Sequence, residues 1–327
     1  MRVGRIVLIA LCVLVALLGI AWGTAALWID GPSTRWLAGL LAALFALGAI
    51  AALLMVRPVG AALLVAAALI GTVAFWWSRI PARNDRDWLP DVAQLPFATI
   101  DGDRLTIRNV RNFDYRSETD FTEHWDTRTY DLSHLRGADI FFSFWGPTAI
   151  AHTIASWEFD DGQHLAISIE TRKERGETYS AVLGFFHQYE LYYVVADERD
   201  VIGVRTNHRG EEVFLYRVHT SPERSRALLI DYLEEVNRLA EHPRWYNALT
   251  HNCTTTIRDH ARRVGPVKPW SWQILANGYL PELWYERGVL DTRLPFEELK
   301  ARSDITERAK AADGAADFSA RIREGLP

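Results

Sequence analysis

The sequence contains few of the residues that build cross-linked or metal-bound folds. Among 327 residues there are two cysteines, Cys12 and Cys253, and they lie far apart in the chain. A disulfide framework and a zinc site built on paired cysteines are therefore excluded. The glycine-rich phosphate-binding motifs and the HExxH zinc motif are also missing, so the sequence predicts neither a nucleotide cofactor nor a metal ion.

The chain has a net positive charge only in its first quarter. The protein has 36 Lys and Arg against 41 Asp and Glu, a net charge of −5. Four arginines and one aspartate give residues 1–78 a net charge of +3, which leaves −8 for residues 79–327. A domain that acidic has no basic surface for a phosphate backbone, so nucleic acid is excluded as a partner.

The mean hydropathy, −0.06, hides three long apolar runs near the N terminus. They are Ile6–Trp28, Trp36–Val56 and Val59–Trp77, each of 19 to 23 residues without a charged side chain. A membrane-spanning helix needs about 20 apolar residues, and tryptophans near the ends of these runs fit the aromatic belt of a bilayer. Residues 1–78 are therefore predicted to form a transmembrane anchor of three helices.

The orientation of this anchor is not decided by the count of basic residues, because arginines lie on both sides of the runs. The first span usually dominates, and here Arg2 and Arg5 precede it while Asp30 follows it. We therefore expect the N terminus in the cytoplasm. Three crossings of a bacterial inner membrane then place residues 79–327 in the periplasm.

The remainder of the chain begins with a change of composition. Residues 79–96 contain three prolines among charged residues, which predicts an extended linker. From residue 97 short apolar runs alternate with turn signals, of which Asp101-Gly102-Asp103 and Asp160-Asp161-Gly162 predict β-hairpins. The run Val201–Thr206 is interpreted as a further strand.

The period of the apolar residues changes after Ser221-Pro222-Glu223, which has the features of a helix N terminus. Apolar residues then follow at helical spacing, and a second helix is predicted to begin near Asn252 and to end near Val264. Residues 97–327 are therefore predicted to form one α+β domain, with an antiparallel sheet and helices packed on one side of it.

Cys253 is the strongest chemical signal in this domain. Thr250 or Asn252 can cap the second helix, which places Cys253 in its first turn. There the helix dipole favours a thiolate, and the amides around Asn252 and Thr254 can hold an oxyanion. The alternative is a buried structural cysteine. Because an unpaired cysteine is unusual outside the cytoplasm, the predicted location favours a functional thiol.

A cysteine nucleophile needs a base, and His152 has the most suggestive setting of the ten histidines, at the start of a predicted strand. If the loop Asp160-Asp161-Gly162 has three residues, His152 lies opposite Glu170 on the next strand. Glu170 then orients His152 as the third member of a triad. A two-residue loop would place Thr171 there instead, and an ordinary polar pair is the alternative to a triad.

Other polar and aromatic residues have plainer interpretations. Asp259 and His260 follow Cys253 by about two helical turns and are predicted to be solvated. Trp270 and Trp272 are interpreted as core residues, with a lipid-facing groove as the alternative.

Six short motifs occur in a fixed order across the domain. They are Phe144-Trp145-Gly146-Pro147, Ile150-Ala151-His152-Thr153, Tyr189-Glu190-Leu191, Glu198-Arg199-Asp200-Val201-Ile202, Tyr246-Asn247-Ala248-Leu249-Thr250 and Asn252-Cys253-Thr254-Thr255. Over roughly residues 97–310 the sequence resembles the periplasmic domain of the Lnb-type lipoprotein N-acyltransferases.

The resemblance implies a circularly permuted papain-like fold, related to LRAT-like cysteine enzymes, in which the histidine strand precedes the cysteine helix. It also implies that Cys253 is acylated by a membrane lipid and passes the acyl chain to an amine, such as that of a lipoprotein. The Lnb enzymes carry membrane helices after this domain, whereas here three apolar runs precede it, and this departure leaves the acceptor open.

The leading hypothesis is thus a membrane-anchored, cysteine-dependent acyltransferase or lipid hydrolase in the periplasm. Two alternatives stay open at this point. One is a cell-wall peptidase or amidase with the same fold. The other is a non-catalytic module for envelope assembly or binding.

Overall fold

The structure, a computed structural model, describes residues 2–326 of the chain. It divides into two compact units. The first consists of Met1–Ala82 with Ser180–Tyr189, and the second consists of Arg83–Tyr179 with Glu190–Pro327.

The first unit is built on three apolar helices, α1 (Arg2–Ile29), α2 (Arg35–Met55) and α3 (Val59–Ser78). Each is long and apolar enough to cross a membrane, as predicted. Alanines such as Ala26, Ala38 and Ala49 are buried where the helices pack. Small side chains at these positions let the helix backbones approach closely, which is typical of helices that associate in a bilayer.

The second unit is built on a mixed β-sheet. Its strands are β1 (Phe97–Asp101), β2 (Arg104–Arg111), β3 (Asp114–Tyr115), β4 (Phe121–Thr122), β5 (Trp125–Asp131), β6 (Leu135–Phe144), β7 (His152–Phe159), β8 (His164–Arg172), β9 (Glu190–Ala196) and β10 (Glu212–Arg217). The order in the main sheet is β1-β2-β9-β8-β7-β6-β10, and β5 also pairs with β2, while β3 and β4 form a small separate hairpin. The sequence predicts an antiparallel sheet, but β2 and β9 pair in parallel at Arg111 and Ala196.

The hairpin of β7 and β8 has the register that a three-residue loop predicts. Ile154 pairs with Ser168 and Glu158 pairs with His164. Gly162 closes the loop at a φ of +86°, a left-handed conformation that glycine adopts readily. The same register, continued by one pair of residues on the same face, sets His152 opposite Glu170.

Helices follow the strands. They are α4 (Glu198–Val201), α5 (Pro222–Glu241), α6 (Cys253–Arg263), α7 (Leu280–Glu286), α8 (Phe296–Ser303), α9 (Thr306–Ala311) and α10 (Phe318–Arg321). The predictions of α5 and α6 are confirmed, including the Ser221 and Asn252 caps.

The predicted strand Val201–Thr206 is wrong. This segment instead ends α4 and enters a π-helical turn, Val204–His208. Asp197 caps α4 by accepting a hydrogen bond from the N–H of Arg199 at 2.9 Å. The buried carboxylate of Asp200 pairs with Arg111 at 2.7 Å. These polar contacts hold the segment in a helical form despite its apolar run, because a buried carboxylate must keep its cationic partner.

Helices cover both faces of the sheet, whereas the prediction placed them on one. Ile154 of β7 packs in a cluster with residues of α9 and α10. Trp157, on the other face of β7, stacks edge-on against Tyr232 of α5. Neighbouring strand residues such as Ile154 and Ala155 are both buried. A strand that is apolar on both faces needs a cover on each.

Candidate thiol active site

Helix α6 begins where it does because Asn252 caps it. The Asn252 side-chain Oδ1 accepts hydrogen bonds from the backbone N–H groups of Thr254 and Thr255, at 3.0 and 2.9 Å. The N–H of Asn252 donates in return to Thr255 Oγ1 at 3.1 Å, which completes a capping box. Cys253 therefore occupies the first position of the helix. The N–H groups of Asn252 and Thr254 both donate within this cap. They are therefore not free to hold an oxyanion, the role that the sequence predicts for these two residues.

The sulfur of Cys253 faces the first residues of β7. The backbone N–H of Thr153 donates to it, and Thr254 Oγ1 lies 3.8 Å away. Burial raises the pKa of the Cys253 thiol, and these donors, together with the charge of Arg205, lower it by less. The thiol is therefore protonated at neutral pH. The expectation of a thiolate stabilised by the helix is wrong, because burial outweighs the donors that surround the sulfur.

Asn277 joins the start of β7 to the start of α6. Its Oδ1 accepts from the N–H of Ala151 at 2.8 Å, and its Nδ2 donates to the carbonyl of Ala151 at 2.5 Å and to Thr254 Oγ1 at 2.7 Å. Gly278 approaches the same loop so closely that a Cβ at this position would lie 1.9 Å from the carbonyl oxygen of Thr148. The buried amide of Asn277 thus fixes the residues beside His152 and Cys253 relative to one another.

His152 heads a chain of hydrogen bonds that ends on Glu170. The imidazole Nε2 lies 2.7 Å from Ser168 Oγ, and the Ser168 hydroxyl donates to Glu170 Oε1 at 2.8 Å. Because the single hydroxyl proton goes to the carboxylate, Ser168 accepts from Nε2–H, and Nδ1 of His152 is the unprotonated nitrogen. The direct separation of His152 Nε2 and Glu170 Oε1 is 3.6 Å. The structure therefore places Glu170 near His152, with Ser168 between them.

Arg205 links this chain to a second carboxylate. Its Nη2 donates to Glu170 Oε1 at 2.9 Å, and its Nη1 donates to Glu211 Oε2 at 3.0 Å. Ser143, at the end of β6, donates to the same oxygen of Glu211. The guanidinium is almost wholly buried, at 6% exposure of the side chain. A buried ionic cluster of this kind holds its members in one arrangement, since losing either partner leaves an uncompensated charge.

These contacts determine the resting protonation states. The pKa of His152 is lowered to about 3, first by burial and then by the charge of Arg205, while Glu170 raises it by a smaller amount. Burial raises the pKa of Glu170, but Arg205 and His152 outweigh it, so this pKa lies well below its usual range. At neutral pH the imidazole is neutral and Glu170 is ionised. The effect of Glu170 on the pKa of His152 has the expected sign, but the opposite effect of Arg205 is larger.

Two tyrosines complete the surroundings of the thiol. Tyr246 is buried, Tyr179 is half exposed, and a hydrogen bond joins their side chains. Burial raises the pKa of Tyr246, and the proximity of Cys253 and Glu170 raises it further. Tyr246 therefore stays protonated and serves as a hydrogen-bond donor beside the site. Its place in the motif before Cys253 was the available signal for it in the sequence.

The structure brings the thiol and the histidine relay together at one end of β7, but it does not join them directly. Among residues 2–326, no hydrogen bond links Cys253 Sγ to the imidazole of His152. Thr153, the residue after His152, lies between the two groups. Its backbone N–H donates to Cys253 Sγ, and its side chain contacts Asn277 on the side of α6. Neighbouring side chains of a strand point to opposite faces, so His152 must swing its ring toward the strand end to meet the sulfur.

His260 is not solvated as predicted. It is fully buried, with Nε2 at 2.6 Å from the hydroxyl of Tyr193 and Nδ1 at 2.5 Å from Asp231. Burial lowers its pKa to about 4, so it is neutral in the folded protein. It lies on the inner face of α6, two turns after Cys253, where it anchors the helix to β9 and α5. Asp259, by contrast, lies toward solvent beside Arg262.

The interpretation of Trp270 and Trp272 as core residues is wrong, because their exposed fractions are 61% and 55%.

No group of three His, Cys, Asp or Glu side chains within residues 2–326 is arranged to hold a metal ion.

Comparison with known families supports the resemblance inferred from the motifs. Residues 121–278 match the family model of the Lnb N-terminal periplasmic domain, a range that includes His152, Glu170 and Cys253. Together with the three helices able to cross a membrane, this match defines a membrane-anchored protein with a periplasmic domain. No curated protein and no solved structure matches the chain.

Proposed function

We propose that Cys253 is the nucleophile of a cysteine-dependent acyltransferase or lipid hydrolase, in a permuted papain-like arrangement. The observation that carries this proposal is the junction of β7 and α6. There the N–H of Thr153 donates to Cys253 Sγ, while the preceding residue, His152, heads a relay to an ionised carboxylate. A nucleophile, a base and an orienting acid are thereby gathered at one strand end.

The proposed reaction begins with proton transfer. Nδ1 of His152 takes the thiol proton as Cys253 Sγ attacks the carbonyl carbon of a lipid ester, and Ser168 and Glu170 stabilise the imidazolium that forms. The N–H of Thr153, which donates to Cys253 Sγ in the free protein, is the proposed donor to the oxyanion. His152 then returns the proton to the departing alcohol, which leaves an acyl thioester on Cys253. An amine or water attacks this thioester, and the acyl chain is released as an amide or a free acid.

The membrane anchor indicates the class of substrate. Three helices able to cross a membrane tether the thiol domain to a bilayer, where lipid esters are the abundant acyl donors. We place the N terminus in the cytoplasm and the domain in the periplasm, with the helices in the inner membrane. The amine of a lipoprotein is the proposed acceptor, and water is the alternative.

One experiment tests this function directly. The full chain, reconstituted in phospholipid vesicles, is incubated with a lipopeptide that carries a free α-amine, and the products are separated by mass spectrometry. A fatty amide supports a transferase and a free fatty acid supports a hydrolase, provided that Cys253→Ala forms neither. Equal product from wild type and Cys253→Ala, or no product from either, contradicts the proposal.

The pH dependence of this reaction follows from the environment of His152. Because the pKa of His152 is about 3, we expect turnover per folded molecule to stay level as the pH falls from 7 to about 5. A histidine with an ordinary pKa of about 6.5 would be mostly protonated at the lower pH and would lose most of the activity. Arg205→Gln removes a cation that lowers this pKa, so the acid limb should move to higher pH.

Arg205→Lys is the matched control for that shift, since it keeps the cation, and its acid limb should stay near that of the wild type. Circular dichroism at each pH corrects for loss of fold. An acid limb near pH 6.5 in the wild type, or no shift in a folded Arg205→Gln protein, would show that His152 is not the titrating base.

Asn277 should act as a positioning residue. Asn277→Ala leaves both backbone groups of Ala151 without their partner, so we expect a loss of stability of about 1–3 kcal/mol. We also expect the pH profile of Cys253 alkylation to change, because Thr254 Oγ1 loses the contact that holds it beside the sulfur. Asn237→Ala is the matched control, because Asn237 of α5 makes the same pair of hydrogen bonds with the backbone of Ala98 in β1, and it should leave the alkylation profile unchanged. A merely structural Asn277 would lower the melting temperature and leave the alkylation profile unchanged.

A further inference from the structure

A cavity of about 520 Å³ lies among α5, α6, α7 and the segment that follows α6. This volume is within the range of about 300–1,000 Å³ that is typical of small-molecule sites. Most of its wall is apolar and is formed by residues such as Leu228 of α5, Ile257 and Ala261 of α6, and Leu283 and Trp284 of α7. Such a wall suits a hydrocarbon chain.

Two buried hydroxyl groups in the wall have no partner. Tyr232 and Ser225 both line the cavity, with exposed fractions of 0% and 1%. Neither hydroxyl oxygen forms a hydrogen bond within residues 2–326. Buried polar groups are nearly always satisfied in folded proteins, so these two hydroxyls point to a ligand or water in the cavity.

The remaining polar lining is strongly basic. Arg224, Arg258 and Arg287 donate to the backbone carbonyls of the segment that closes the cavity, at 2.7 to 3.1 Å. Together with Lys268 they bring four cations to the lining, and none of them pairs with a carboxylate in the described part of the chain. The carboxylate of Asp139 also lies in the lining but is bonded to Arg217 and Arg323. The cavity therefore carries uncompensated positive charge.

The cavity reaches the neighbourhood of the thiol. Thr254 lines it, and Thr254 Oγ1 lies 3.8 Å from Cys253 Sγ. Tyr232 lies near enough to the thiol for ionisation of Cys253 to raise its pKa, in addition to the larger effect of burial. A molecule in the cavity therefore contacts the residue that follows the nucleophile.

We propose that this cavity binds an anionic amphiphile, with its hydrocarbon chain along the apolar wall and its carboxylate or phosphate near Arg258 and Arg287. The assignment rests on the proposed function, in which a lipid supplies the acyl chain, but binding itself needs no chemistry at Cys253. The apolar wall favours the hydrocarbon chain of the ligand. The guanidinium groups, which pair with no carboxylate in the described part of the chain, favour an anionic head group, because hydrogen bonds to charged groups are stronger than neutral ones.

Photolabelling of the full chain tests this site. Cys253→Ala protein in nanodiscs of zwitterionic lipid is irradiated with a dodecanoate that carries a diazirine at the end of its chain, and the labelled peptides are mapped. We expect label on α6 and α7, and none in Ala261→Trp, which fills the cavity. Ala301→Trp, at an exposed position of α8, is the matched control and should keep the label.

Competition identifies the head group. Dodecanoate or dodecyl phosphate should displace the label about tenfold better than dodecanol, and Arg258→Gln with Arg287→Gln should abolish that difference. Displacement by the carboxylate alone indicates a free fatty acid, and displacement by the phosphate alone indicates a phospholipid head. Dodecanol competing as well as both anions, or label that persists in Ala261→Trp, overturns the proposal.

The two proposals fail separately. Acyl transfer by the wild type with no label in the cavity would reject this site and keep the function. Labelling that follows the expected pattern, in a chain whose wild type has no turnover, would keep the site and reject the function. Even if Ala261→Trp does not fold, Arg258→Gln with Arg287→Gln still tests whether the cavity prefers an anionic head group.

Discussion

Replacing Cys253 by alanine should abolish acyl transfer and leave the fold intact. Loss of the nucleophile removes the covalent path, and losses of about 10⁴-fold or more are typical when such a group is deleted. The thiol makes only weak contacts with Thr153 and Thr254, so we expect the melting temperature to change little. Turnover in vesicles and the thermal midpoint should be measured on the same preparation.

The second cysteine provides the matched control. Cys12 lies on α1 with an exposed side chain, distant in sequence from every residue of the proposed mechanism. Cys12→Ala should keep full turnover. The opposite pattern for Cys253→Ala, with a lower thermal midpoint and undiminished turnover per folded molecule, would identify Cys253 as a structural residue.

Replacing His152 by alanine should lower turnover by about 10²–10⁴-fold, the usual contribution of a general base. The expected loss is smaller than that of Cys253→Ala because water can still accept the thiol proton slowly. Ser168→Ala keeps the imidazole and breaks the link to Glu170. It should therefore give a smaller loss than His152→Ala. Single-turnover rates measured on both variants place them in this order.

His124 is a suitable control for the histidine change, since its exposed ring pairs with Asp114 away from the relay. His124→Ala should leave turnover unchanged. If His152→Ala retained the wild-type rate, the base would have to be sought elsewhere, and the relay through Ser168 would be a structural network of the sheet.

Local signals in the sequence were sufficient for the parts of the site that depend on neighbouring residues. The glycine of the Asp160-Asp161-Gly162 loop sets the loop length, and the loop length sets the register that brings His152 opposite Glu170. Asn252 and Thr255 form the capping box that fixes Cys253 at the first position of α6. Both features are read from residues close together in the chain.

The rest of the site depends on contacts between distant segments. Asn277 and Ala151 form a hydrogen bond although they are 126 positions apart in the chain. Arg205, which bonds to Glu170, lies in a segment whose apolar residues predict a strand. No spacing rule connects such residues. The raised pKa of Cys253 has the same origin, since burial by residues from several elements outweighs the helix N terminus that the sequence reveals.

The capture of an acyl group on Cys253 tests the central claim most directly. The full chain is incubated with phospholipid vesicles in the absence of an amine acceptor, quenched in acid and analysed by peptide mass spectrometry. The account predicts an acyl thioester on Cys253, cleaved by neutral hydroxylamine and absent from Cys12 and from the His152→Ala protein at early times. Turnover without any adduct on Cys253, or acylation of Cys12 and Cys253 at the same rate, would contradict it.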